Sequence, residues 1–201
     1  MSTVPARGLT DGSAEGTLDD SSTQSDSELI RRCQQGDTQS FRYLYRRYQR
    51  RIRSTLYQLC GATRLDDLVQ EVFLRAWRGL PRLRQTSTFS TWIYRITWNV
   101  ASDERRQLGR ARSQLQLLSN AVSDRQAAMD VMELHYQDLV KRGLEQLGFD
   151  HRSVLVLHDL EDLPQKQVAS ILEIPVGTVK SRLFHARKTM RQFLEGEGVQ
   201  P

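Results

Sequence analysis

From residue 25 onward the chain repeats apolar residues at spacings of three and four, and nowhere does it alternate them with polar ones. No other feature constrains the fold as tightly. A period near 3.6 gathers apolar side chains on one side of a helix, whereas a half-buried strand needs a period of two. Glycine (12 residues) and proline (5) are few enough not to interrupt this pattern often. The expectation is an all-α protein. "SDSE" at 25–28 has the form of a capping box and opens a helix to about Gln35. Gly36 breaks that helix, and Asp37 is placed to cap a long one running to about Cys60. "TRLD" at 63–66 reads as a second capping box, for a helix to about Gly79. Pro81 and a Ser/Thr cluster from Thr86 predict a loop, followed by a helix from about Phe89 to Leu108. Four more helices are expected, at roughly 131–147, 151–159, 164–172 and 175–195.

The mostly polar segment 108–130 lacks a strong apolar face, and the spacing predicts a flexible linker there, with room for a helical piece. Two small helical domains result, at 26–107 and 131–195, each just long enough for a modest core, with a short tail at 196–201. The first 25 residues are rich in Ser, Thr and Gly and nearly free of large apolar side chains, so a disordered tail is expected. Up to residue 28 the chain carries Asp11, Glu15, Asp19, Asp20, Asp26 and Glu28 against Arg7 alone. It has no secretory apolar run and no stretch of membrane-spanning length, which points to a cytoplasmic protein with no membrane insertion.

Net charge is +5, and an acidic start leaves the remainder more basic than that total. Such a balance favours nucleic acid or an acidic partner, although a plain basic soluble protein fits it too. Cys33 and Cys60 lie in different expected helices without a CxxC or Cys/His pairing, and read as buried free thiols. The 4 histidines show no metal-ligand spacing. Asp67 and Glu71 would share a helix face, but nothing is spaced to complete a metal set. No phosphate loop or nucleophile constellation is present, so no metal, cofactor or catalytic activity is expected.

Chemistry concentrates in "IPVGTVKSRLFHARKTM", at 174–190. On a helical wheel Val179, Leu183, Ala186 and Met190 form one apolar row. Ser181, Phe184, His185 and Lys188 face the other way, with Lys180, Arg182, Arg187 and Arg191 on the flanks. Pro164 suits the first turn of a preceding helix, and "EIP" supplies the turn between them, as in a helix-turn-helix. Flank cations would hold phosphates while central side chains reach base edges. An ordinary helical hairpin with a solvated charged face shows the same pattern.

Upstream, Leu65, Leu68, Val69, Val72 and Ala76 make a narrow apolar stripe, with Asp67, Gln70, Glu71 and Leu74 opposite it. An apolar residue among acids suits a protein interface, and equally a solvated face with one exposed Leu. On the next helix Trp92, Ile93, Ile96 and Val100 share the core side. Tyr94 and Trp98 fall on the other side, with Arg105 beside them and Asn99 adjacent, so exposed aromatics are expected. Aromatics flanked by arginine can stack on unpaired bases or pack against another helix.

"QKQVASILEIPVGTVKSRLFHARKTMRQFL" resembles region 4 of the extracytoplasmic-function class of bacterial sigma factors, and "VLVLHDLEDL" before it fits as well. "PQKQVA" departs from members carrying an aromatic and acidic pair, and His185 stands where Arg is frequent. "LDDLVQEVFLRAWRGL" with "FSTWIYRITWNVASDERR" is similar to region 2 of the same class. Together the likeness covers about 26–106 and 132–195. It implies a promoter-specificity subunit for a stress or envelope response, partnered by core RNA polymerase, promoter DNA and, as members commonly are, an anti-sigma factor. Asp67, Gln70, Glu71 and Leu74 would bind the polymerase clamp helices. Tyr94, Trp98, Asn99 and Arg105 would meet the minus-10 element, with Asn99 at the family's base-capturing position and the stacking role of Trp98 inferred from its chemistry. Lys180, Ser181, Arg182, Phe184, His185, Arg187 and Lys188 would meet the minus-35 element. A helix-turn-helix regulator that does not join the polymerase would explain the C-terminal half alone.

Overall fold

The computed structural model describes residues 24–83, 89–115 and 133–199. Most of the expected acidic tail, the loop at 84–88 and most of the expected linker lie outside these residues. Every regular element among the described residues is helical. Helix α1 spans Asp26–Gln34 and α2 spans Thr38–Cys60. Ser25 caps α1 by accepting from the Glu28 N–H at 3.3 Å, while the Glu28 carboxylate pairs forward with Arg31 instead of reaching back. Asp37 caps α2, accepting from the N–H groups of Gln39 and Ser40.

Helix α3, Leu65–Gly79, does not start on the expected capping box. Arg64 occupies the cap position in the left-handed region at φ 57°, with no side-chain cap bond. The chain arrives through a tight turn in which Gly61 also has positive φ and the Leu65 N–H bonds the Ala62 carbonyl at 3.1 Å. A cap needs extended backbone, which this turn denies, and Asp66 turns out to Arg53. A 3-10 turn at Leu80–Arg82 follows. Helix α4, Phe89–Leu115, runs beyond the expected end at Leu108 into the segment read as linker. No proline stops it, and an Asp103–Arg106 pair at 2.7 Å supports the turn before the overrun.

The second group comprises α5 (Glu133–Glu145), α6 (Phe149–Leu155), α7 (Gln165–Leu172) and α8 (Val176–Gly196). Helix α6 passes directly into a π-helical turn at Val156–Leu160. Helix α2 packs on α1, α3 and α4, while α8 packs across α5, α6 and α7. Gly143 permits the α5–α8 approach: a Cβ there would stand 2.8 Å from the Met190 Cε.

The cores of the two groups are not separate. Ile52, Leu56, Val72 and Ile93 belong to the same buried cluster as Leu157, Val168, Ile171 and Leu183. Helix α4 packs on α7, and α2 touches both α6 and the π-helical turn. Where the sequence predicts two modest cores, apolar side chains of both groups merge, because each group alone has little surface to bury.

Candidate functional site

Helix α7 ends at Leu172, and Glu173 turns the chain with φ 56°. The Ile174 N–H closes that turn on the Ala169 carbonyl at 3.1 Å. Pro175 then enters α8, its carbonyl accepting from Thr178 and Val179 at 2.9 and 3.1 Å. Val179, Leu183 and Ala186 are buried beneath α8. Lys180, Ser181, Phe184, His185, Arg187 and Lys188 are exposed on it, and Arg182 is half-buried. Phe184 is 68% exposed, the most exposed large apolar side chain among the described residues. Its ring meets His185 edge-on at 5.4 Å.

The cations of α8 are not equivalent. Lys180 and Lys188 form no ion pair among the described residues. Arg182 donates to Asp150 at 2.6 Å. Arg187 grips Asp159 with both nitrogens, Nε to Oδ2 at 2.9 Å and Nη2 to Oδ1 at 2.5 Å. That hydrogen bonding raises the already high pKa of Arg187. Pairing across 28 and 32 residues leaves no local signal in the sequence.

On α4, Asn99 is exposed and Trp98 half-buried. Arg105 is exposed, with its guanidinium 4.9 Å from the centre of the Phe149 ring in the second group. Tyr94 departs from expectation: it is 1% exposed. Its hydroxyl donates to Glu161 Oε2 at 2.6 Å. Burial first, then that bond, pushes the phenol well above its ordinary range. The wheel places Tyr94 away from the core of its own group, and there Glu161, just past the π-helical turn, meets its hydroxyl while α7 packs on α4.

On α3, Asp67, Gln70 and Leu74 are exposed, and Glu71 is half-buried. The Glu71 carboxylate accepts from Arg75 at 2.7 Å. Leu74, 39% exposed, is not stranded among acids. Trp77 (40%) and Tyr45 (38%) are exposed beside it, lining one groove of about 480 Å³. Trp77 meets Phe41 edge-on at 4.9 Å, and Tyr45 meets Phe73 at 4.6 Å. Sequence reasoning missed these aromatics. The available signal was Trp77 three residues after Leu74, within reach on the same helix.

Burial pushes the Cys33 and Cys60 thiols each up to about 11. No helix among the described residues is long and apolar enough to cross a membrane, and no group of three His, Cys, Asp or Glu among them is placed to hold a metal ion.

Residues 44–111 match the family model of sigma-70 region 2, and residues 137–190 match that of sigma-70, region 4. The two regions in this order define the sigma-70 class of proteins. The ECF RNA polymerase sigma-E factor of Escherichia coli K12 is 31% identical over 175 residues, covering 82% of this chain and 92% of that protein. Its counterpart in Haemophilus influenzae is 29% identical over 180 residues, covering 85% and 95%. Among solved structures, CnrH in complex with the cytosolic domain of CnrY aligns with TM-score 0.66 at 23% identity, over 86% of this chain and 99% of that one. The sigma factor RpoE of Bartonella quintana, bound to the anti-sigma factor NepR, gives 0.66 and 23% over 79% and 98%. The chain belongs to the extracytoplasmic-function sigma factors. As such it joins core RNA polymerase and directs promoter-specific transcription initiation.

Proposed function

We propose a division of labour among three surfaces. The α8 face would hold the minus-35 element, with Lys180, Arg182, Arg187 and Lys188 on phosphates and Ser181, Phe184 and His185 setting base preference. The observation that carries this is an exposed Phe184 among exposed cations, over a buried row of Val179, Leu183 and Ala186. Such a helix can enter a groove without disturbing its own core. Trp98, Asn99 and Arg105 would meet the minus-10 element, Trp98 by stacking and Asn99 by reading a base edge with its amide. Asp67, Gln70, Glu71 and Leu74, widened by Trp77 and Tyr45, would form the polymerase contact. Its apolar centre and charged rim suit a protein partner. On this reading residues 26–107 are the region 2 unit and 131–195 the region 4 unit, with 108–130 between them and tails at 1–25 and 196–201.

The protein would have no catalytic activity of its own and would act in the cytoplasm. An anti-sigma factor and a stress or envelope response are part of the proposal, supported by the names of its relatives and structural neighbours. Transcription in vitro with core polymerase over a genomic promoter library tests the whole. Selective starts at promoters sharing both elements are expected; their absence refutes the reading. Trp98→Ala and Asn99→Ala should bind polymerase normally and form open complexes poorly by permanganate footprinting. A pre-melted bubble should rescue much of the Trp98 defect. Normal opening by Trp98→Ala would make Trp98 a packing residue.

A further inference from the structure

Helix α2 carries an arginine face that the function proposed above does not use. Arg42, Arg46, Arg50 and Arg53 recur at spacings of three and four and are all exposed. At 100° per residue they fall within about 80° of one another, in a row about 17 Å long. Arg53 pairs with Asp66, and Arg42 reaches the Gln39 amide oxygen at 3.1 Å. Arg46 and Arg50 make no ion pair among the described residues. Like charges four residues apart repel along a helix, so Arg42, Arg46 and Arg50 together favour an anionic neighbour.

The chain itself brings acid to this place. Asp26 accepts from Arg47 through one carboxylate oxygen and from Tyr48 through the other. The Gln24 carbonyl accepts from Arg47 Nη2 at 2.8 Å. The backbone therefore approaches α1 along α2, beside Arg46 and within one turn of Arg50. Upstream of it stand Asp11, Glu15, Asp19 and Asp20, and Arg7 is the one basic side chain among residues 1–23. Asp20 is four residues from Gln24, a reach of up to about 14 Å, whereas Arg50 lies only about 4.5 Å along the helix axis from Arg47.

We propose that the acidic stretch 11–20 docks on the arginine face of α2, with Asp19 and Asp20 on Arg46 and Arg50, and withholds that face from nucleic-acid phosphate. Charge and tether together choose the occupant. Four acids meet four arginines, and a tether this short holds them at an effective concentration on the order of millimolar. The consequence bears on selectivity. A bare arginine face would strengthen binding to any duplex, because phosphate contacts carry no sequence information. An internal polyanion suppresses that binding and leaves the α8 and α4 faces untouched.

Two measurements on the full chain test this. Arg46→Lys with Arg50→Lys keeps the charge and offers two amines to a zero-length carbodiimide. Tandem mass spectrometry should find amide links from positions 46 and 50 to the stretch 11–20, within one chain when isotope-labelled and unlabelled chains are mixed. Links between labelled and unlabelled chains would make the occupant a second copy; the absence of links to the stretch would leave the face without this occupant. Either result overturns the proposal. Asp11→Asn, Glu15→Gln, Asp19→Asn and Asp20→Asn combined should tighten binding to an unrelated duplex about 2- to 25-fold, as two exposed pairs of about 1.4- to 5-fold each would. The plot of log affinity against log salt should steepen by about 1.8, two arginine contacts at about 0.9 each. In a chain that also carries Arg46→Gln and Arg50→Gln, most of that gain should vanish. An equal gain with and without the two arginines would reduce the effect to net charge and overturn the docking.

Discussion

Asp159→Asn should tighten DNA binding, because it releases a cation that the protein already holds. Arg187 grips Asp159 through two nitrogens, with 52% and 27% of the two side chains exposed. A phosphate must compete with that carboxylate. An exposed pair of this kind is worth about 0.2–1 kcal/mol, so its removal should raise affinity roughly 1.4- to 5-fold near physiological salt. A freed arginine that reaches a phosphate should also steepen the plot of log affinity against log salt by about 0.9. Between 50 and 200 mM salt that slope amounts to an extra fall of about 3.5-fold. Lys180→Ala should do the opposite, flattening the slope by about the same amount, since Lys180 has no internal partner to leave behind. Fluorescence anisotropy on a minus-35 duplex and on an unrelated duplex of equal length, across a salt series, measures both. The gain from Asp159→Asn should appear on both duplexes, because phosphate contacts carry no sequence information. An unchanged affinity and slope in Asp159→Asn, with the fold intact, would refute the reasoning.

Three other outcomes are expected. Leu74→Ala with Trp77→Ala should weaken holoenzyme assembly at least about tenfold, as loss of apolar anchors does, with helicity retained; unaltered affinity for core polymerase in a titration would sink the patch. At pH 8 both cysteines of the folded chain should resist iodoacetamide, because thiols pushed up to about 11 are almost wholly protonated there; mass spectrometry should find both modified only after denaturation. Leu183→Ala, at a side chain 2% exposed, should cost about 2–5 kcal/mol in urea unfolding, and a loss below about 1 kcal/mol would show that α8 is not anchored as described.

Local physics was legible in the sequence, and long-range contact was not. The helix-turn-helix, the Asp37 cap and the buried row of α8 follow from spacing and side-chain chemistry within one or two turns. The cap at Thr63 failed because backbone geometry before α3 is set by a turn, with Arg64 left-handed, and side-chain type alone does not reveal that. Tyr94 was placed correctly on the wheel and wrongly in water. Its partner Glu161 is 67 residues away, and periodicity reports which side of a helix leaves its own core, not what comes to meet it. The acid partners of Arg182 and Arg187 were hidden for the same reason. The aromatic groove around Leu74 was partly readable, since Trp77 lies one turn on, but Tyr45 and Phe41 come from another helix.

The left-handed turn at Glu173 has a further consequence. A residue with a Cβ at φ 56° gives up about 1 kcal/mol that glycine would keep. Glycine there would make the helix-turn-helix locally easier to form, yet it would remove the carboxylate that reaches Arg95 on α4. The position is therefore frustrated: its backbone preference and its long-range partner ask for different residues. The conflict is offset only while the two groups touch. One residue thus ties the geometry of the turn to the packing of α4 on α7, so a change on either side is felt at the other.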